Sequence, residues 1–97
     1  MNHYEALFIL KPDLAKEEKN TLCNQLQEIV AKHQGMVSNA SVWAEKKKLA
    51  YPIRKYTEGD YYLLDFSAPS SALKEISHTY KLNENILRVL IVKKEKK

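Results

Sequence analysis

Three short segments limit this chain most: YEALFIL (Tyr4 to Leu10), YYLLDFS (Tyr61 to Ser67) and ILRVLIV (Ile86 to Val92). Each carries apolar side chains at both odd and even positions. Successive residues of an extended chain face opposite ways, so a strand of this kind needs cover on both sides. The segments are short, and charged or turn-forming residues bound them: Lys11, Pro12 and Asp13; Gly59 and Asp60; Asn83, Glu84 and Asn85. They read as sheet strands rather than helices.

Helical patterns lie between them. Pro12 and Asp13 mark a turn, with Asp13 the expected helix cap. Leu22, Cys23, Leu26, Ile29, Val30 and His33 then recur at helical spacing up to Gly35. Pro69, Ser70 and Ser71 open a second helix whose stripe is Ala72, Leu73, Ile76 and Tyr80, ending near Leu82. Met36 to Tyr51 reads as a long edge strand with one polar side. Tyr56 to Asp60 supplies turn residues for a hairpin into Tyr61. The order strand, helix, strand, strand, helix, strand predicts an α+β, ferredoxin-like βαββαβ fold, a four-stranded antiparallel sheet with two helices on one face. Residues 1–93 are expected to form a single domain and residues 94–97 a short basic tail.

Two helices roof one face only. If Tyr4, Ala6, Phe8, Tyr62, Leu64, Phe66, Val89 and Ile91 pack under them, the open face receives Leu7, Ile9, Tyr61, Leu63, Leu90 and Val92. A contiguous apolar face on a small domain marks a protein contact, although single exposed apolar residues are ordinary. Stacking of RNA bases on that face, as in an RRM, needs solvent-facing aromatics on the two central strands. This parity places only Tyr61 there, beside Glu5 and Asp65, and neither RRM signature is present.

Catalysis finds no support. Gly35 and Gly59 are the only glycines, so a phosphate-cradling loop is excluded. His3, His33 and His78 share no spacing, and no metal site is expected. The single Cys23 forms no intramolecular disulfide and sits beside the buried stripe of a helix, as a core thiol does. No apolar run approaches the roughly 20 residues of a membrane span. The expectation is a cytoplasmic protein without cofactor, small-molecule substrate or membrane contact.

One motif remains. KKKLAYPIRK, Lys46 to Lys55, sets five cations around Leu49, Tyr51, Pro52 and Ile53, in a chain of net charge +4. Such a set holds phosphates while Tyr51 or Arg54 packs on sugar or base. Lysines on an edge strand also prevent sheets from adding to one another. The residues alone leave both readings open.

YEALFILKPD, KKKLAYPIRK with GDYYLLDFSAP, and LNENILRVLIVK together resemble the family of bacterial ribosomal protein six of the small subunit. The match runs over almost the whole chain, and Leu49 to Lys55 is its most specific piece. The resemblance implies a non-enzymatic subunit that binds the central domain of small-subunit ribosomal RNA with small-subunit ribosomal protein eighteen. By position, the RNA-facing residues implied are Asn2, His3, Lys47, Lys48, Tyr51, Arg54, Lys55 and Arg88, and the open sheet face falls to the partner protein. Asn2 stands where family members often carry a basic residue. The stretch between Trp43 and Leu49 is one residue longer than the family pattern, and a bulge there shifts which lysine reaches RNA. The competing reading is a self-associating ferredoxin-like regulatory or ligand-binding module whose open face makes a homodimer.

Overall fold

In the computed structural model, which describes residues 2–94, six elements follow one another: β1 (Asn2–Leu10), α1 (Lys16–Lys32), β2 (Met36–Ile53), β3 (Tyr56–Ala68), α2 (Ser70–Lys81) and β4 (Ile86–Lys94). The strands form one antiparallel sheet in the order β2-β3-β1-β4. This is the expected ferredoxin-like arrangement. β1 and β3 are central, which is why both of their faces are apolar, and β2 is an edge, which is why it tolerates polar residues.

The core lies between the sheet and both helices. Tyr4, Ala6 and Phe8 of β1 and Tyr62, Leu64 and Phe66 of β3 pack beneath Leu22, Leu26 and Val30 of α1 and Ile76 and Tyr80 of α2. Val89 and Ile91 of β4 border them. The Phe8 ring meets Tyr80 edge to face at 4.8 Å and 85°. The Tyr80 hydroxyl donates to the Leu26 carbonyl at 2.6 Å, tying α2 to α1. The strand parity inferred from the sequence is therefore the one the fold adopts.

Several expected boundaries move. Asp13 does not cap α1; Ala15 occupies the N-cap, and its N–H donates to the Glu18 carboxylate at 3.2 Å. The chain stays extended for two residues past the turn so that Leu14 reaches the core, and Asp13 accepts from the Tyr56 hydroxyl at 3.4 Å. α1 stops at Lys32 with Gln34 left-handed, φ 66°. Gly35 then lets Ser67 and Val30 approach, since a Cβ there would lie 2.8 Å from the Ser67 carbonyl.

The hairpin turn is not at Tyr56 to Asp60. Ile53 pairs with Tyr56, leaving Arg54 and Lys55 as a two-residue loop with φ 48° and 72°. Both angles positive is the pattern that matches hairpin twist, though Asn and Gly adopt it more readily than Arg and Lys. Gly59 sits inside β3, where a Cβ would lie 2.5 Å from Ile9 Cγ2, so it answers a close approach rather than a turn. At the other end of the chain, Lys94 continues β4 and pairs with His3, so it is not tail; residues 95–97 lie outside the described residues.

Candidate nucleic-acid and protein interface

The open face is organised by register. Across the sheet from β4 to β2, the successive rows are Arg88, Ile9, Tyr61, Ala44; then Leu90, Leu7, Leu63, Ser41; then Val92, Glu5, Asp65, Asn39. Its aliphatic part is therefore a band across the middle. Beyond it, Glu5 and Asp65 stand directly opposite each other, a like-charge pair that costs stability unless a cation intervenes. The Lys94 ammonium does so, at 3.7 Å from Glu5 and 3.5 Å from Asp65.

Of the expected partner face, Leu90 is 58% exposed, Val92 is exposed, and Leu7, Leu63 and Tyr61 are half-buried. Ile9 corrects the expectation: it is only 8% exposed, packed with Leu49 and Leu87 and flanked by Ile53, Tyr56 and Tyr61. The cause is the hairpin. β2 and β3 run past the end of β1, and their tip curls back over the open face. Its position is held by the Tyr56 contact to Asp13 and by Arg54 Nη1 donating to the Glu84 carbonyl at 3.3 Å. Leu87 joins because β4 bulges between Arg88 and Ile86, opposite Ile9 and Leu10. Leu49 and Ile53, the apolar residues inside the basic motif, thus fill a second small core.

That core explains why the cations surround an apolar patch: the patch seats the hairpin, and the charges stay outside. Tyr51 is 81% exposed near the tip. Lys46, Lys47, Lys48, Arg54 and Lys55 are all exposed. Lys48 pairs across to Glu58, and Arg88 is exposed in the row of Ile9. These expected RNA-facing residues gather at one end of the sheet. Asn2 and His3 do not join them. They lie at the far end of β1, about 23 to 26 Å from Leu10 at 3.3 Å per residue, where Asn2 donates to the Tyr4 hydroxyl at 3.3 Å and His3 Nδ1 lies 2.9 Å from Ser67 Oγ.

The stretch between Trp43 and Leu49 is bulged, as expected. The β2–β3 register shifts at Val42/Ala44 and again at Ala44/Lys47, with Lys46 at φ 48°. Asp60 stabilises the second shift: its Oδ1 accepts the Lys46 N–H at 2.7 Å and its Oδ2 lies 2.5 Å from the Lys19 ammonium. Hydrogen bonding to Asp60 raises the Lys19 pKa above its ordinary value, against the lowering effect of burial. The bulge divides the lysine run. Lys47 turns over the open face, its ammonium 5.1 Å from the Trp43 ring centre and 5.6 Å from that of Tyr61. Trp43 was invisible to sequence reasoning, because a regular strand gives no reason to single it out; only the length difference around it carried a signal.

Burial pushes the Cys23 thiol up, as suits an inert core thiol. Among the described residues, no group of three or more His, Cys, Asp or Glu side chains is placed to hold a metal, and no helix is long and apolar enough to cross a membrane.

Comparison with known proteins supplies the context. The profile of the family described as Ribosomal protein S6 matches residues 3–93. Small ribosomal subunit protein bS6 of Campylobacter jejuni is 40% identical over 97 residues, covering all of this chain and 77% of that protein. The bS6 protein of Helicobacter pylori strain G27 is 38% identical over 97 residues, covering 68% of that protein. The crystal structure of 30S ribosomal protein S6 from Thermotoga maritima superposes with a TM-score of 0.88 at 26% identity, over 96% of this chain and 87% of that one. With a family profile spanning nearly the whole chain and the same fold in a solved relative, the chain belongs to the ribosomal protein S6 family, structural proteins of the small ribosomal subunit in the bacterial cytoplasm.

Proposed function

We propose that the protein binds the central domain of small-subunit ribosomal RNA jointly with small-subunit ribosomal protein eighteen, and that it has no enzymatic activity. The observation that carries this reading is the overhanging hairpin, which puts Lys48, Tyr51, Arg54 and Lys55 on a protrusion beyond the end of β1, with Lys47 and Arg88 at its base. A protrusion of cations around an exposed tyrosine suits a phosphate backbone, where each lysine or arginine neutralises charge and releases counterions. Asn2 and His3 form a separate contact, so an RNA that touches both sets runs along the length of β1. The aliphatic band of Leu7, Leu63, Leu90 and Val92 takes the partner protein, with Tyr61 at its border. The basic patch and the aliphatic band adjoin, which favours one composite surface for both ligands.

Co-sedimentation of the tagged chain with small ribosomal subunits tests the whole reading. Failure to sediment with them removes it. Leu63→Asp tests the partner face, and the expected result is a folded protein with much weaker binding to protein eighteen. A second reading has its own observation in the exposure of Leu90 and Val92 on the edge strand β4: the open face makes a homodimer. A tight dimer that is indifferent to protein eighteen establishes this alternative instead.

A further inference from the structure

We infer that Trp43, buttressed by Tyr61 and flanked by Lys47, is a stacking site for one unpaired base of the RNA. This rests on the RNA-binding reading above and adds to it a preference for single-stranded over paired RNA.

The indole stands where β2 gains a residue. Val42 pairs with Tyr62 and Ala44 with Tyr61, so Trp43 is the unpaired residue of a bulge, a device that re-aims a side chain. It is 59% exposed, an unusual state for the largest apolar side chain. Tyr61 meets it at 5.7 Å and 65°. Tyr61 is itself half-buried against the Ile9 and Leu49 cluster, so it gives the indole a fixed neighbour while most of the Trp43 side chain stays exposed.

The charges point the same way. Lys47 places its ammonium over both rings, where it can pair with the phosphate of a nucleotide whose base stacks on the other face of the indole. The row that contains Tyr61 holds Arg88 and no carboxylate. Glu45, the nearest acid in sequence, faces Lys19 of α1 at 3.8 Å. The pair Glu5 and Asp65 lies two rows further along. A stacked base needs an exposed aromatic plane, a nearby cation and no opposing acid, and sequence-tolerant stacking is worth about 1 to 3 kcal/mol per base. The open face then divides into an aromatic and cationic corner for a nucleotide and an aliphatic band for protein.

Trp43 is the only tryptophan, so emission excited at the red edge of indole absorption, where the tyrosines do not absorb, reports on it alone. Titration with a short single-stranded RNA is expected to quench that emission saturably, and the fully paired duplex of the same RNA to quench it much less. Trp43→Leu is expected to weaken single-strand binding about tenfold while leaving duplex binding and the salt slope unchanged, because no charge is removed. Trp43→Phe, which keeps an aromatic plane, restores most of the loss and guards against a mere folding defect. Salt-dependent RNA binding without quenching overturns the stacking site and leaves the RNA reading standing. Absence of salt-dependent RNA binding both by the chain alone and by the chain with protein eighteen overturns both. Quenching by protein eighteen in the absence of RNA, with no further change when RNA is added, assigns Trp43 to the protein interface and overturns the inference.

Discussion

The Lys19 ammonium lies 2.5 Å from Oδ2 of Asp60, pinning α1 to the base of the β2–β3 hairpin. Asp60 is only 1% exposed, and its other oxygen holds the N–H of Lys46 within the bulge. One buried carboxylate thus joins a helix, a strand irregularity and the root of the basic protrusion. Asp60→Ala leaves the Lys46 N–H and the Lys19 ammonium without it. Stability is expected to fall by about 3 kcal/mol, the scale of breaking a buried pair from one side, read as a lower urea midpoint. RNA affinity falls with it, because the hairpin loses its anchor.

The same pair shapes the alkaline limb of stability. Lys19 keeps its proton in the folded chain above its ordinary value of 10.5. Its contribution is therefore complete below that pH and is lost as the pH rises through the elevated folded value. Tyr80 adds to this trend, since burial raises its phenol and the unfolded chain ionises first, near 10.0. Each such group steepens the loss by up to about 1.4 kcal/mol per pH unit. Tyr80→Phe is expected to cost about 1 kcal/mol at neutral pH through the lost bond to the Leu26 carbonyl, yet to show a shallower decline above pH 10 in urea titrations at stepped pH.

Lys55 sits at φ 72° in the hairpin loop, a conformation that costs a residue with a Cβ and suits glycine. Lys55→Gly is expected to raise stability by roughly 0.5 to 1 kcal/mol, seen as a higher urea midpoint at constant slope. It removes a cation at the same time, so RNA binding weakens while the fold strengthens. Opposite signs in the two measurements show that left-handed strain is kept at a binding position.

Gly59 and Ile9 form a steric pair across β3 and β1. Gly59→Ala drives a methyl to 2.5 Å from Ile9 Cγ2, and overpacking of this kind costs about 1 to 3 kcal/mol. Adding Ile9→Leu, which has no methyl branch at Cβ, is expected to relieve part of that cost. A double-mutant cycle measures the coupling, and strict additivity contradicts the contact.

Lys48 and Arg54 test the protrusion directly. Each change to Ala is expected to flatten the dependence of log K on log salt by roughly one unit per lost phosphate contact. Asn2→Ala and His3→Ala, at the other end of β1, change binding independently of them, and additivity between the two sets checks the spatial separation.

Local chemistry made much of this molecule legible. Two-faced apolar strands at Tyr4, Tyr61 and Ile86, with helical stripes between them, require a sheet roofed on one side, because period and hydrophobicity are written residue by residue. The identity of the open face followed from parity alone: Tyr4, Ala6 and Phe8 are buried under the helices, while Leu7 and Leu63 are not. Tertiary contact decided what parity cannot express. Gly59 and Asp60 look like a turn in sequence, but Ile9 needs the space and Lys19 needs the charge, so the turn moved to Arg54 and Lys55. Ile9 left the open surface because a hairpin from elsewhere in the chain folded over it. Trp43 became a feature only when the β2–β3 register slipped beside it. Periodicity records how each element meets its own neighbours in sequence; bulges, overhangs and buried ion pairs arise from the meeting of distant segments, and only the folded chain sets their positions.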